Sequence, residues 1–312
     1  MSTLNVSLFG KLEVRHGQDR LITLDTHNAQ KLFCYLLLFR DRPHTRESLA
    51  NVLWGDQSAS HSKNYLRKAL WQLQATLDEQ AYAAKGQLLL LDGDWVQLHP
   101  QADLWLDVAV FERAAAVAHG TPGRNLPAEL VQTLRAAAAL YRGELLDGWY
   151  HDWCLYERER FQYKYLTILD KLMDYHEAMY QFDDALLYGE SILRYDRARE
   201  RTHRHLRRLH GGAGYRTAAR RTNDRCAVAL REELSVAPAE RTAQLRAPII
   251  ATRPDELSPP AATVAAAARR AADPLPELLS RLRQFQTVLV NIQQQLQQQI
   301  WTVETTLSHK RH

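Results

Sequence analysis

A chain of 312 residues has room, at roughly 150 residues per domain, for about two domains with cores of their own. Forty Lys and Arg against 36 Asp and Glu leave a formal charge of only +4, so any basic surface must come from local clustering and not from a uniform field. Three widely spaced cysteines (Cys34, Cys154, Cys226) exclude a disulfide framework and a Cys-x-x-Cys metal site, and the longest apolar run, Leu32 to Phe39, is too short to span a bilayer; the expectation is a cytoplasmic chain without membrane contact.

The first hundred residues alternate strand and helix patterns. Leu4, Val6, Leu8, then Leu12 and Val14, then Leu21 to Leu24 alternate with polar neighbours around a turn at His16-Gly17-Gln18-Asp19, which predicts a small antiparallel sheet. Thr26 to Phe39 carries Ala29, Leu32, Phe33, Leu36 and Leu37 at helical spacing and stops before Arg42-Pro43. Thr45 is the expected N-cap of a short second helix with Leu49, Val52 and Leu53 on its apolar face. A third helix runs from about Ser60 to Leu77, and Leu88 to Leu91 with Trp95 to Leu98 flank Asp92-Gly93-Asp94 as a hairpin.

Residues 104 to about 245 read as nearly all helix. Tyr180-Gln181-Phe182-Asp183-Asp184-Ala185 recurs as Gly214-Tyr215-Arg216-Thr217-Ala218, with the alanines thirty-three residues apart. That interval is near the roughly 34-residue period of tetratricopeptide helix pairs, and predicts two inter-helix turns with an aromatic and an alanine packed in each crossing. Residues 247 to 276 hold six of the eleven prolines and read as a tether. In residues 277–312, Leu282, Phe285, Leu289, Ile292 and Leu296 form a seam of alternating three- and four-residue steps, the spacing of a coiled coil. Self-association or docking onto a partner protein through this seam is expected; folding back on the helical domain is the alternative.

On the third helix, at about 100° per residue, Leu66, Leu70, Leu73 and Leu77 share one arc and predict the core face. Asn64, Lys68 and Trp71 point away from it, with Arg67 on the shoulder and Lys63 in the first turn, and no acidic residue lies between Gln57 and Leu77. Arg and Lys donate to guanine O6 and N7, Asn pairs with adenine, and all of them meet phosphates, so this face is chemically suited to a DNA major groove. A solvated polar face is the competing reading of the same residues.

Residues 3 to 245 resemble the family of bacterial antibiotic-pathway activators. The likeness rests on Lys31-Leu32-Phe33 with Leu36-Leu37-Leu38, Pro43, Arg46-Glu47-Ser48-Leu49-Ala50, Leu53-Trp54 and Asn64 to Leu70. In the second half it rests on Tyr141 to Leu146, Trp153, Glu157-Arg158-Glu159-Arg160 and Arg231 to Leu234. The resemblance implies an α+β winged helix-turn-helix domain (1–100) followed by an all-α, tetratricopeptide-like bacterial transcriptional activator domain (101–246). It implies binding to double-stranded promoter DNA and recruitment of RNA polymerase holoenzyme. Asn64, Arg67, Lys68 and Trp71 are then the expected base readers, and Lys63, Arg46 and Lys31 the phosphate anchors. The sequence departs from the family at the hairpin tip, where Asp92 and Asp94 would repel phosphate, and at His210-Gly211-Gly212-Ala213-Gly214.

Two further readings compete with this one. Residues 1–100 carry net +1, whereas residues 197–246 hold thirteen Arg against five acids, which suggests auxiliary DNA contact or an acidic partner at Arg201, Arg204, Arg207 and Arg208. The runner-up function is a tetratricopeptide-like scaffold with a degenerate winged helix. His203 and His205 diverge by about 200° on a helix, so neither a metal nor a cofactor is expected from them. No phosphate loop, Gly-x-Ser-x-Gly elbow or His-Glu-x-x-His motif is present, and no enzyme activity is expected.

Overall fold

A computed structural model describes residues 4–17, 20–79 and 88–244. The tether and the seam residues Leu282, Phe285, Leu289, Ile292 and Leu296 lie outside the described residues.

β1 (Leu4–Ser7) buries Leu4 and Val6 and pairs antiparallel with β2 (Glu13–His16), Val6 facing Val14, while β3 (Arg20–Leu21) continues the meander on the far side of β2. The sheet is not purely antiparallel, as its sequence pattern suggested. β7 (Leu104–Leu106) runs parallel to β1 on its other edge, giving the order β3-β2-β1-β7. A three-residue strand beyond position 100 carries no period long enough to be read from sequence.

α1 (His27–Leu38) starts where the Thr26 hydroxyl accepts the Ala29 amide, and nine of its twelve residues are buried, because it is covered on all sides. α2 (Arg46–Trp54) starts at Thr45, whose hydroxyl accepts the Ser48 amide as expected. α3 (Ala59–Glu79) buries Leu66, Leu70, Leu73 and Leu77 on the predicted arc. β5 (Leu89–Asp92) and β6 (Trp95–Leu98) form the expected hairpin, joined by the short strand β4 (His44–Thr45) in the order β4-β6-β5.

The second half is helical: α4 (Asp107–Val117), α5 (Ala128–Leu140), α6 (Asp152–Ala178), α7 (Phe182–Tyr195), α8 (Glu200–Gly212), α9 (Arg216–Leu234) and the short α10 (Glu240–Gln244). Its internal repeat is real, with a period of thirty-four. The Gln181 amide donates to the His176 carbonyl (2.9 Å) and the Tyr215 amide to the His210 carbonyl (2.7 Å); Ala185 donates to Gln181 and Ala219 to Tyr215. The alanine partner of Ala185 is therefore Ala219 and not Ala218, and both are buried in the crossings. Of the aromatics, Phe182 packs against the core, whereas Tyr180 and Tyr215 are exposed.

The two halves share one core. Beyond β1 the chain pairs with the loop before α6: Gly10 donates to Glu144, Leu146 to Leu8 and Asp147 to Gly10 (2.8–2.9 Å), with Phe9 opposite Leu145. A Cβ on Gly143 would stand 3.3 Å from the Gly10 Cα, so a side chain there would push the two segments apart by a few tenths of an ångström. The guanidinium of Arg158 fastens the same loop by donating to the carbonyls of Leu145, Leu146 and Trp149, which gives a physical role to the Gly143 to Leu146 and Arg158 blocks. The Phe9 ring enters an aromatic cluster with Phe111, Tyr141 and Phe161, at centroid distances of 5.2, 4.9 and 5.5 Å.

An ionic node crosses the same boundary. Glu112 on α4 accepts from Arg40, which follows α1, and from Arg160 and Lys164 on α6 (2.7–3.0 Å). Burial alone would raise its pKa, but the three cations overcome this and hold it at about 2, below the ordinary 4.5. Because the folded pKa is the lower one, the stabilisation is present above about pH 4.5 and is lost as pH falls toward 2. In urea titrations the stability difference between the native chain and Glu112→Gln should narrow by about 2 kcal/mol between about pH 6 and pH 3. A difference independent of pH would show that the node does not hold the halves together.

Candidate nucleic-acid interface

The start of α2, the N-terminal half of α3 and the tip of the β5–β6 hairpin meet around one recess of about 830 Å³. Backbone bonds fix this arrangement: the Arg46 amide donates to the Asp94 carbonyl (2.8 Å), and the Arg46 guanidinium donates through Nε to the Gly93 carbonyl (3.1 Å), so the hairpin tip is tied to the first turn of α2. Ser62, buried on α3, donates to the Trp54 carbonyl (2.7 Å) and ties the start of α3 to the end of α2. Against these anchors, the Leu66-Leu70-Leu73-Leu77 stripe sets the rotation of α3, and with it which side chains face out.

Arg46, Lys63, Asn64 and Arg67 come together on the walls of the recess. Arg67 donates to the Asn64 Oδ1 (2.8 Å), which aligns the guanidinium with the amide on the outer face. Lys68 and Trp71 are exposed on the same helix but outside the recess, Trp71 with 69% of its surface accessible. Glu47 and Asp94 lie at the rim, so the recess is of mixed charge and its cationic side is α3. His61, not singled out in the sequence, lies one helical turn before Asn64 and also lines the recess; its signal was the i, i+3 spacing to Asn64.

Lys31 departs from the expectation. It is buried on α1, its ammonium donates to the Leu53 carbonyl and lies 5.8 Å from the centroid of the Trp54 ring, and burial lowers its pKa. It braces α1 against the last turn of α2 and does not join the outward cluster, because the helix that carries it is covered on all sides.

Five arginines of the arginine-rich segment make internal pairs, among them Arg204 and Arg208 of the predicted basic patch. Both carboxylate oxygens of Glu177 accept from Arg208 (2.8 Å each), and His205 meets the same group at 2.9 Å. Arg204 donates to Thr242, Arg199 to Asp170, Arg197 to Glu232 and Arg225 to Glu190. His203 and His205 are buried, and the former bonds through Nε2 to the Arg197 carbonyl. His205, Asp174 and Glu177 offer ligand atoms within 4.8 Å of one another. Arg208, bidentate on Glu177, already balances that carboxylate.

Among the described residues no helix is long and apolar enough to cross a membrane. Residues 106–250 match the family model of the bacterial transcriptional activator domain. The fold is similar to that of Mycobacterium tuberculosis EmbR, solved in complex with a low-affinity phosphopeptide, with a TM-score of 0.56 and 17% identity over 80% of this chain. The match spans 65% of the EmbR chain. No curated protein matches. The helical block and its repeat agree with the match of residues 106–250 to the bacterial transcriptional activator domain, which is in keeping with the resemblance to the antibiotic-pathway activators.

Proposed function

We propose that the chain is a sequence-specific, DNA-binding transcriptional activator of the bacterial cytoplasm, whose residues 1–100 form a winged helix-turn-helix and whose residues 101–246 engage RNA polymerase holoenzyme. The observation that supports this best is the stretch of α3 up to Leu77, which carries no acid, with Lys63, Asn64 and Arg67 gathered beside Arg46 on a recess framed by a hairpin. A helix standing on an apolar stripe with its polar face outward, next to a hairpin, is the arrangement by which such domains enter a major groove. In this reading Asn64, Arg67, Lys68 and Trp71 contact base edges, and Lys63 and Arg46 contact phosphates. Lys31 is left out, because its ammonium is engaged inside the fold. The seam of residues 277–312, Leu282, Phe285, Leu289, Ile292 and Leu296, pairs protomers or captures a partner protein.

A scaffold function is the second reading, and a specific observation favours it: Asp94 and Glu47 at the rim of the recess oppose phosphate on the hairpin side.

Selection of DNA from a random pool, followed by salt titration of the winner, separates the two. The activator reading expects a discrete motif and a steep salt slope. Arg67→Ala should relax preference at one position at a cost of about 1–3 kcal/mol, and Lys63→Ala should weaken all sequences alike and reduce the salt slope by about one. Lys31→Met should leave that slope unchanged. Equal weak binding of selected and scrambled DNA would assign the chain to the scaffold reading.

A further inference from the structure

The thirty-four-residue repeat brings two inter-helix turns side by side at one end of the helical block, and their side chains differ in an informative way. In the second turn the left-handed position is Gly214 (φ 80°); in the first it is Tyr180 (φ 58°), with matching hydrogen bonds around both. A tyrosine in that region is disfavoured by the clash of its Cβ with the backbone, and glycine avoids the clash. The ring gains nothing from the core in exchange, since Tyr180 is 81% exposed.

What the ring does is wall a recess of about 430 Å³ with Phe182 and Tyr215. The Tyr180 and Phe182 rings stand perpendicular (88°) at a centroid distance of 6.2 Å, and Phe182 lies over Gly212, where a Cβ would come within 3.4 Å of its ring. Asp183 and Asp184 also line it, Asp184 reaching His176 at 3.6 Å, and among the described residues no Lys or Arg lines the recess. Several aromatic faces around a compact space, with carboxylates and without a competing cation, attract an organic cation through the ring quadrupoles and the negative charge together.

We propose that this recess binds a small organic cation with an alkylated ammonium head, at a site separate from the DNA-reading face. The recess is shallow and open, so it offers its rings to a compact head and no long groove to an extended peptide, and loss of the proposed DNA binding would leave the argument intact.

Ligand-observed NMR titration of the whole chain with tetramethylammonium and with choline, at constant ionic strength, tests it against 3,3-dimethylbutan-1-ol, the neutral isostere of choline. Saturable binding of both cations is expected, with a Kd of about 1 mM or tighter, and none of the isostere. Tyr180→Gly should lower cation affinity at least about tenfold while raising the midpoint of thermal unfolding by about 2–4 °C, because it relieves the backbone. A purely structural tyrosine would move stability alone. Tyr215→Ala, on an exposed side chain, should also weaken the cations and leave the fold intact. Equal binding of the isostere, absence of saturation, or native affinity in both variants would overturn the site.

Discussion

The structure depends on how a buried carboxylate ends one strand and begins one helix. Asp107, at the first position of α4, is almost fully buried and accepts the amides of Leu8, Phe9 and Val108 at 2.7–3.0 Å. Burial raises its pKa, opposed by those three amides and by Arg142 nearby. Without this side chain the amides where β1 leaves its sheet would have no partner in a dry interior, a cost of about 1–3 kcal/mol each. With it, the chain after β1 is directed toward the loop at Glu144 to Asp147, Phe9 enters the aromatic cluster, and the sheet carrying the first block is continuous with the helical block.

Much of the local structure was legible because it rests on short-range chemistry. Thr45 caps α2 through its own third neighbour, the leucine arc of α3 is a 3.6-residue period, and Asp92-Gly93-Asp94 turns a hairpin between alternating strands. The parts that were not legible are long-range. β4 and β7 are two and three residues long and exist only through their partners. Lys31 reads as a helix-surface cation until the burial of the whole of α1 is known. Residue identity places the repeat one residue out of register, whereas its physical content is the turn hydrogen bonds, which align His176 with His210 and Ala185 with Ala219. Of the candidate interface, the helix and its outward residues could be read from the period; that Arg46 joins them through a bond to the hairpin carbonyl could not.

Charge counting failed most clearly in the arginine-rich segment. A window sum treats each guanidinium as free, but the carboxylates that neutralise these arginines include Asp170, Glu177 and Glu190, which lie earlier in the chain on α6 and α7. Alternate helices of the block are laced by these pairs: α6 to α8 through Glu177 and Arg208, α7 to α9 through Glu190 and Arg225. Burial alone would raise the pKa of Glu177, while Arg208 and His205 pull it below the ordinary value; the Arg225 pair does the same to Glu190. These paired guanidiniums thus serve cohesion between helices, so the charge count of the window overstates the basic charge available to an external anion.

The parallel pairing of β1 with β7 has a consequence for dissecting the molecule. A fragment cut at position 100 keeps every residue of the proposed reading head yet loses β7, Asp107 and the Glu144 to Asp147 loop together. Its β1 would then offer an open row of amides and carbonyls along one edge, with Phe9 bare at the end of it. Such an edge is a template for pairing with a second copy, so the isolated piece is prone to stick to itself, and measurements on it would report assembly before they reported affinity.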